Sequence, residues 1–128
     1  MVEALFNGRV LLDEGLVTDC VILIDEGRIL AVTNPDDPRC KTATSRDLEG
    51  GLLLPGFIDV QVNGGGGVLF NDDPSIDTIR TIAAAHRRFG TTSLLPTLIS
   101  DELPVVAGAI ESIRGAIAAK VPGVIGIH

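Results

Sequence analysis

The sequence predicts an α/β chain in two parts, a β-rich first third followed by the opening of a parallel strand–helix–strand array. Three observations carry this. Short apolar runs separated by turn residues fill the first 54 positions, two helical periodicities follow Asp73, and a short strand precedes each of them. The apolar content, 45% of 128 residues, comes mainly from Leu, Ile, Val and Ala, with four Phe as the only aromatics. That palette suits parallel sheets buried on both faces.

Taken in order, Leu5-Phe6, Val10–Leu12, Val21–Ile24 and Ile29–Val32 read as strands, and Asp25-Glu26-Gly27 signals a hairpin between the last two. Asn34 to Arg46, punctuated by Pro35 and Pro38, reads as a loop, and Leu48–Leu54 as one more strand. Together these suit a small antiparallel sheet or sandwich over residues 1–54. Pro55 and Gly56 break the run. Phe57–Val62 then reads as a short buried strand, rich in β-branched and aromatic side chains. Asp59, Gln61 and Asn63 alternate along it, so a period of two places all three on one face.

Beyond the glycines Gly64 to Gly67 the rhythm changes. Asp73 is placed to cap a helix with Pro74 at its first position. Ile76, Ile79, Ala83, His86 and Phe89 recur at helical spacing, and Gly90 closes the segment. Thr91–Thr97 reads as a second strand. Ser100-Asp101-Glu102 opens a second helix with a buried stripe of Leu103, Val106, Ile110, Ile113 and Ile117, and Val124–His128 reads as a third strand. Strand, helix, strand, helix, strand with short connections implies two right-handed βαβ units over residues 55–128. A (β/α)8 barrel takes about 250 residues, so three strands are expected to be the opening segment of one. The chain is read as a fragment.

Ten basic against seventeen acidic residues leave a net charge of −7, and no Lys/Arg cluster exists beyond Arg87-Arg88. A nucleic-acid partner is not expected. Cys20 and Cys40 have neither metal spacing nor the density of a disulfide scaffold, and read as free thiols in a reducing compartment. The start carries Glu3 and no basic n-region, and no apolar run approaches the roughly 20 residues that span a bilayer. The expectation is a cytoplasmic protein with no membrane partner.

Leu54-Pro55-Gly56-Phe57-Ile58-Asp59 resembles the first barrel strand of the amidohydrolase superfamily, in which a small β-sandwich flanks a metal-binding barrel. The longer run Pro55 to Gly67, the run Gly90 to Thr97 and the run Gly123 to His128 together resemble the N-acetylglucosamine-6-phosphate deacetylase family, across essentially the whole chain. The resemblance implies the N-terminal part of a metal-dependent amidohydrolase of amino-sugar catabolism. It would hydrolyse the acetamide of a sugar phosphate to glucosamine 6-phosphate and acetate. It also implies one divalent metal ion, Zn or Fe, and a homodimer for the full-length protein. In that chemistry the metal polarises the amide carbonyl and lowers the pKa of a bound water.

Most amidohydrolases place His-x-His on the first strand, where this chain has Gln61-Val62-Asn63. Amides are poor substitutes for imidazole on zinc, so a second metal at this position is not expected. The resemblance places the metal ligands and the catalytic residue beyond His128, so none is expected within residues 1–128. The same amides argue against a dihydroorotase-like or hydantoinase-like enzyme acting on a cyclic amide. The family's glutamate ligand follows the third strand, and its two histidines and proton-carrying aspartate come later still. The fragment is therefore expected to be inactive alone. The alternative is a non-catalytic structural or docking segment.

Gln61 and Asn63 are candidates to line a site floor, the plainer alternative being amides that satisfy loop backbone. Asp59 could act as an acceptor behind the site, or pair with a neighbour or the backbone. Gly64, Gly65 and Gly66 could let a sugar phosphate approach the main chain, or form a permissive turn. No Gly-Lys-Ser/Thr follows, so this is not a nucleotide-binding loop. His128 ends a strand on the face where such barrels keep their sites. His86, with Arg87 and Arg88, reads as a surface group complementing the carbonyl end of its helix.

Overall fold

The computed structural model describes residues 1–128, which divide into two compact units, Met1–Pro55 and Gly56–His128. The chain is a mixed α/β structure, rich in strands, with two α-helices.

The first unit holds seven short strands: β1 (Glu3–Phe6), β2 (Arg9–Leu12), β3 (Gly15–Val17), β4 (Val21–Asp25), β5 (Arg28–Thr33), β6 (Thr44–Asp47) and β7 (Leu52–Leu53). They form a four-stranded sheet in the order β5-β4-β1-β6 and a three-stranded sheet in the order β3-β2-β7. Each sheet is antiparallel except at one edge, where β6 runs parallel to β1 and β7 parallel to β2. Along β4 the side chains alternate: Val21 and Leu23 pack with Ala4, while Ile22 packs with Leu5 and Val10. Both faces of β4 are thereby covered. The stretch read as a loop to Arg46 ends instead in β6. All four β6 residues are exposed, so no apolar alternation marks it, and main-chain pairing with β1 alone makes the strand. Within the loop, Asp37 caps a 3₁₀ turn (Pro38–Lys41), and the Arg39 guanidinium and N–H with the Thr33 hydroxyl hold its carboxyl well below the usual range. Cys20 and Cys40 are free thiols.

The second unit holds β8 (Phe57–Val62), β9 (Gly64–Gly65), β10 (Val68–Leu69), α1 (Ile76–Arg87), β11 (Thr91–Pro96) and α2 (Leu103–Ala118). β8 and β11 are parallel, and β9 and β10 form an antiparallel hairpin. Its turn residues Gly66 and Gly67 have φ of 66° and 85°, the left-handed pair that a two-residue hairpin turn needs. One core joins Val62, Phe70, Ile79, Ile82, Leu94, Ile113 and Val124.

Four expectations are corrected here. β8 is not a buried strand: Phe57, Ile58 and Val60 are 58%, 63% and 60% exposed, and only Val62 enters the core. It pairs with β11 on one edge, while α1 packs on β11, on the hairpin and on α2. The third strand is an extended segment with a single bridge, Leu94 to Val124. Leu94 N–H reaches Gly123 O and Ile125 N–H reaches Leu94 O, but Pro96 has no N–H to continue the ladder. Pairing resumes one residue out of step, with His128 N–H on Pro96 O and Leu98 N–H on His128 O, both 3.1 Å.

The buried line of α2 is Ala109, Ile113 and Ala116, whereas Leu103, Ile110 and Ile117 are exposed. α1 comes close at Gly115, on a neighbouring side of the helix, where a Cβ would lie 2.9 Å from Ile76 Cδ1. Finally, the cap of α1 is Ser75, whose Oγ accepts from Thr78 N–H at 3.2 Å. Asp73 stands behind it, accepting from Ser75 Oγ at 2.8 Å and Thr78 Oγ1 at 2.9 Å.

Those bonds, Ser75 first, hold the Asp73 carboxyl below its ordinary value. A lowered folded-state value stabilises the fold at neutral pH, and the contribution is lost as pH falls through the carboxylate range. Both α-helices lie in the second unit, so ellipticity at 222 nm follows that unit. The urea midpoint read there should fall on acidification below about pH 4, and fall less in Asp73→Asn. An equal fall in both proteins would remove Asp73 from the account.

Candidate functional site

β8, β11 and the segment from Gly123 run in the same direction, so Asn63, Thr97 and His128 gather at their carboxyl ends. Thr97 is the knot. It is buried; its Oγ1 accepts from Val62 N–H at 2.9 Å, and its own N–H donates to Val62 O at 2.8 Å. Oγ1 in turn donates to Leu95 O at 3.1 Å, so every polar atom of the side chain is used. Asn63 is half-buried and points its Nδ2 at Thr97 O, 3.5 Å away. The next residue, Leu98, holds the His128 carbonyl. Two residues, Thr97 and Leu98, therefore connect Asn63 to His128. Sequence reasoning misses Thr97, whose one signal is a hydroxyl directly after Pro96 at a strand end.

The other candidates are placed as follows. Gln61 is exposed, with no hydrogen bond from its amide side chain, and its N–H donates to Asp59 Oδ1 at 3.2 Å. Asp59 is half-buried, and its carboxylate turns back on its own strand. The His128 imidazole is exposed and borders a cleft of about 310 Å³ with Leu98, Ser100, Val106 and Ile110. Gly64 and Gly65 are strand residues packed on α1, not an open loop.

His86 corrects its surface reading. Its Nε2 lies 2.9 Å from Gly64 O, and the ring is half-buried against the hairpin. A carbonyl only accepts, so Nε2 carries the hydrogen. The same ring explains Gly65, where a Cβ would sit 2.9 Å from Nε2.

Asn71 ties down the loop after β11. Its Oδ1 accepts from Ile99 N–H at 2.8 Å, and its Nδ2 donates to Ile99 O at 3.1 Å and to Asp101 Oδ2 at 3.2 Å.

No group of three or more His, Cys, Asp or Glu comes together. Two amides and a single imidazole do not make the donor set of a zinc or iron centre. The residues present can hydrogen-bond a ligand. They do not fit a metal, and no chemical step is routed through one.

This fold is similar to that of the sugar-phosphate deacetylases, a class of amide hydrolases. The particular likeness is to N-acetylhexosamine-6-phosphate deacetylases. An N-acetylgalactosamine-6-phosphate deacetylase from Shewanella is 40% identical over 130 residues, 95% of this chain and 32% of the relative. The crystal structure of N-acetylglucosamine-6-phosphate deacetylase from Pasteurella multocida superposes with a TM-score of 0.85 at 30% identity, covering 92% of this chain and 31% of that one. A mutant of the Mycobacterium smegmatis N-acetyl-D-glucosamine-6-phosphate deacetylase, in complex with N-acetyl-D-glucosamine-6-phosphate, superposes with a TM-score of 0.73 at 25% identity, covering 98% and 32%. The chain thus spans about a third of the length of the relatives it matches. No family model matches it.

Proposed function

We propose that this chain is the N-terminal part of a cytoplasmic, homodimeric N-acetylglucosamine-6-phosphate deacetylase. In this reading Met1–Pro55 contributes to a β-sandwich and Gly56–His128 begins a (β/α)8 barrel. The complete enzyme hydrolyses the acetamide of the sugar phosphate to glucosamine 6-phosphate and acetate, with a divalent metal, Zn or Fe, held by residues outside 1–128. The observation that carries the proposal is the Pasteurella superposition, which runs over 92% of this chain. Asn63 supports it locally: its amide stands at a strand's carboxyl end, the side on which parallel α/β folds keep their sites. The role assigned to Asn63 and Gln61 is to bind and orient, since an amide neither donates nor removes a proton at neutral pH. His128 borders the same end and is assigned a binding role. Gly64, Gly65 and Gly66 are assigned to the hairpin itself, because the space a side chain would need is already occupied.

The Shewanella relative favours a second reading, the C4 epimer N-acetylgalactosamine 6-phosphate as substrate. One experiment separates them. Acetate release by the complete, metal-loaded protein is measured on both sugar phosphates, with residues 1–128 alone as a parallel sample. The proposal expects turnover by the complete protein, faster on the glucosamine compound, and release by 1–128 no greater than a protein-free control. Preference for the galactosamine compound would establish the second reading, and turnover of neither would overturn both. Activity in 1–128 would overturn the division of labour proposed here.

A further inference from the structure

Asn71 has no place in the reading above, yet it makes the most complete side-chain-to-loop contact of the second unit. Its amide matches the main chain of Ile99 as a neighbouring strand would, accepting from N–H and donating to C=O. A second donation to Asp101 fixes the amide orientation, because the carboxylate can only accept. Asn71 immediately follows Phe70, which is wholly buried and whose N–H closes the hairpin onto Asn63 O at 2.8 Å. The anchor is therefore rigid at its base. What it holds is the loop joining β11 to α2, and that loop opens with Thr97 and Leu98, the two residues that connect Asn63 to His128.

We propose that Asn71 is a positioning residue for the deacetylase site. By pairing with Ile99 it locks the loop after β11 to the hairpin after β8, and so fixes the Asn63 amide and the His128 end relative to each other. This rests on the reading that those strand ends form the site. Without the lock, Ile99 N–H and C=O turn to water and the loop samples other conformations. Displacement of about 1 Å in positioning groups commonly costs two orders of magnitude in rate.

The test uses the complete protein in four forms: parent, Asn71→Ala, Asn71→Asp, and Asn71→Asp combined with Asp101→Asn. The aspartate keeps the acceptor for Ile99 N–H but loses both donations and faces Asp101. The double variant restores a donor–acceptor pair with its polarity reversed. Thermal midpoint, hydrogen exchange at Ile99 N–H, kcat and KM are measured for each. Expected are faster exchange at Ile99 in Asn71→Ala and a fall in kcat/KM of about tenfold or more in both single variants. The thermal midpoint should stay close to the parent's, and the double variant should recover to within about threefold. Unchanged exchange in Asn71→Ala overturns the lock. Faster exchange with unchanged kcat/KM overturns the positioning role, as does a loss the double variant fails to recover. An inactive parent instead defeats the deacetylase reading, while the exchange result still decides whether the lock exists.

Discussion

Phe70→Ala should destabilise the second unit by about 3–5 kcal/mol, the range for truncating a fully buried aromatic. Phe70 is 0% exposed and packs in the one core of that unit, among Val62, Ile79, Ile82 and Leu94. Its ring fills the space between hairpin, sheet and helices, and those elements cannot collapse inward together, since each is held by its own main-chain bonds. A whole domain is stable by about 5–15 kcal/mol, so this single change takes a large share. The chain has no Trp or Tyr, which leaves ellipticity at 222 nm as the natural signal. A urea midpoint equal to the parent's would mean that Phe70 is not packed as described.

Gly64→Ala should be the costliest small substitution at the candidate site. A Cβ there would run into the Val68 carbonyl oxygen, and would lie 2.8 Å from Leu69 Cδ2 and 3.2 Å from Leu69 Cα. Two of those three are main-chain atoms of the facing strand, so no rotamer change relieves the clash, and the hairpin must open. Overpacking of this kind costs about 1–3 kcal/mol, occasionally more. Gly67→Ala is the control, because Gly67 has φ of 85° but nothing within 4 Å of where a Cβ would stand, so only backbone strain is added. The expected order of urea midpoints is parent, Gly67→Ala, Gly64→Ala, with exchange at Phe70 N–H accelerated most in Gly64→Ala. Equal effects of the two would show that the hairpin tolerates a methyl group at Gly64.

The residues legible in advance are those whose side chains carry the structural reason. Ile79 and Ala83 repeat along one side of α1, and Gly90, with φ of 95°, ends the turn after it, so that helix can be read directly. The α2 stripe misleads because large apolar residues occur on two sides of it. Ile110 and Ile117 draw the eye, yet the buried line is Ala109, Ile113 and Ala116, two of them too small to stand out in an apolar pattern. β6 is invisible because pairing through the main chain leaves no mark on a run as polar as Thr44–Asp47. At the site, Asn63 can be placed at a strand end from periodicity, and His128 closes an apolar run read as a strand that is an extended segment with a single bridge. Their connection through Thr97 and Leu98 cannot, since it depends on partners thirty or more positions away in the chain. His86 escapes sequence reading for a similar reason: its acceptor, the Gly64 carbonyl, bears no side-chain signature.

The parallel edges of the first unit carry a consequence for synthesis. Glu3 pairs with Thr44 and Arg9 with Leu52, so the earliest strands meet their last neighbours only after some forty more residues have been made. Antiparallel β4 and β5 can form as soon as they emerge from the ribosome, with β1 beside them. The outer position next to β1 stays vacant until the chain has passed Asp47, and the one next to β2 until it has passed Leu53. For that interval the nascent segment has unpaired main-chain edges, which is when a chaperone or a neighbouring copy would compete for them.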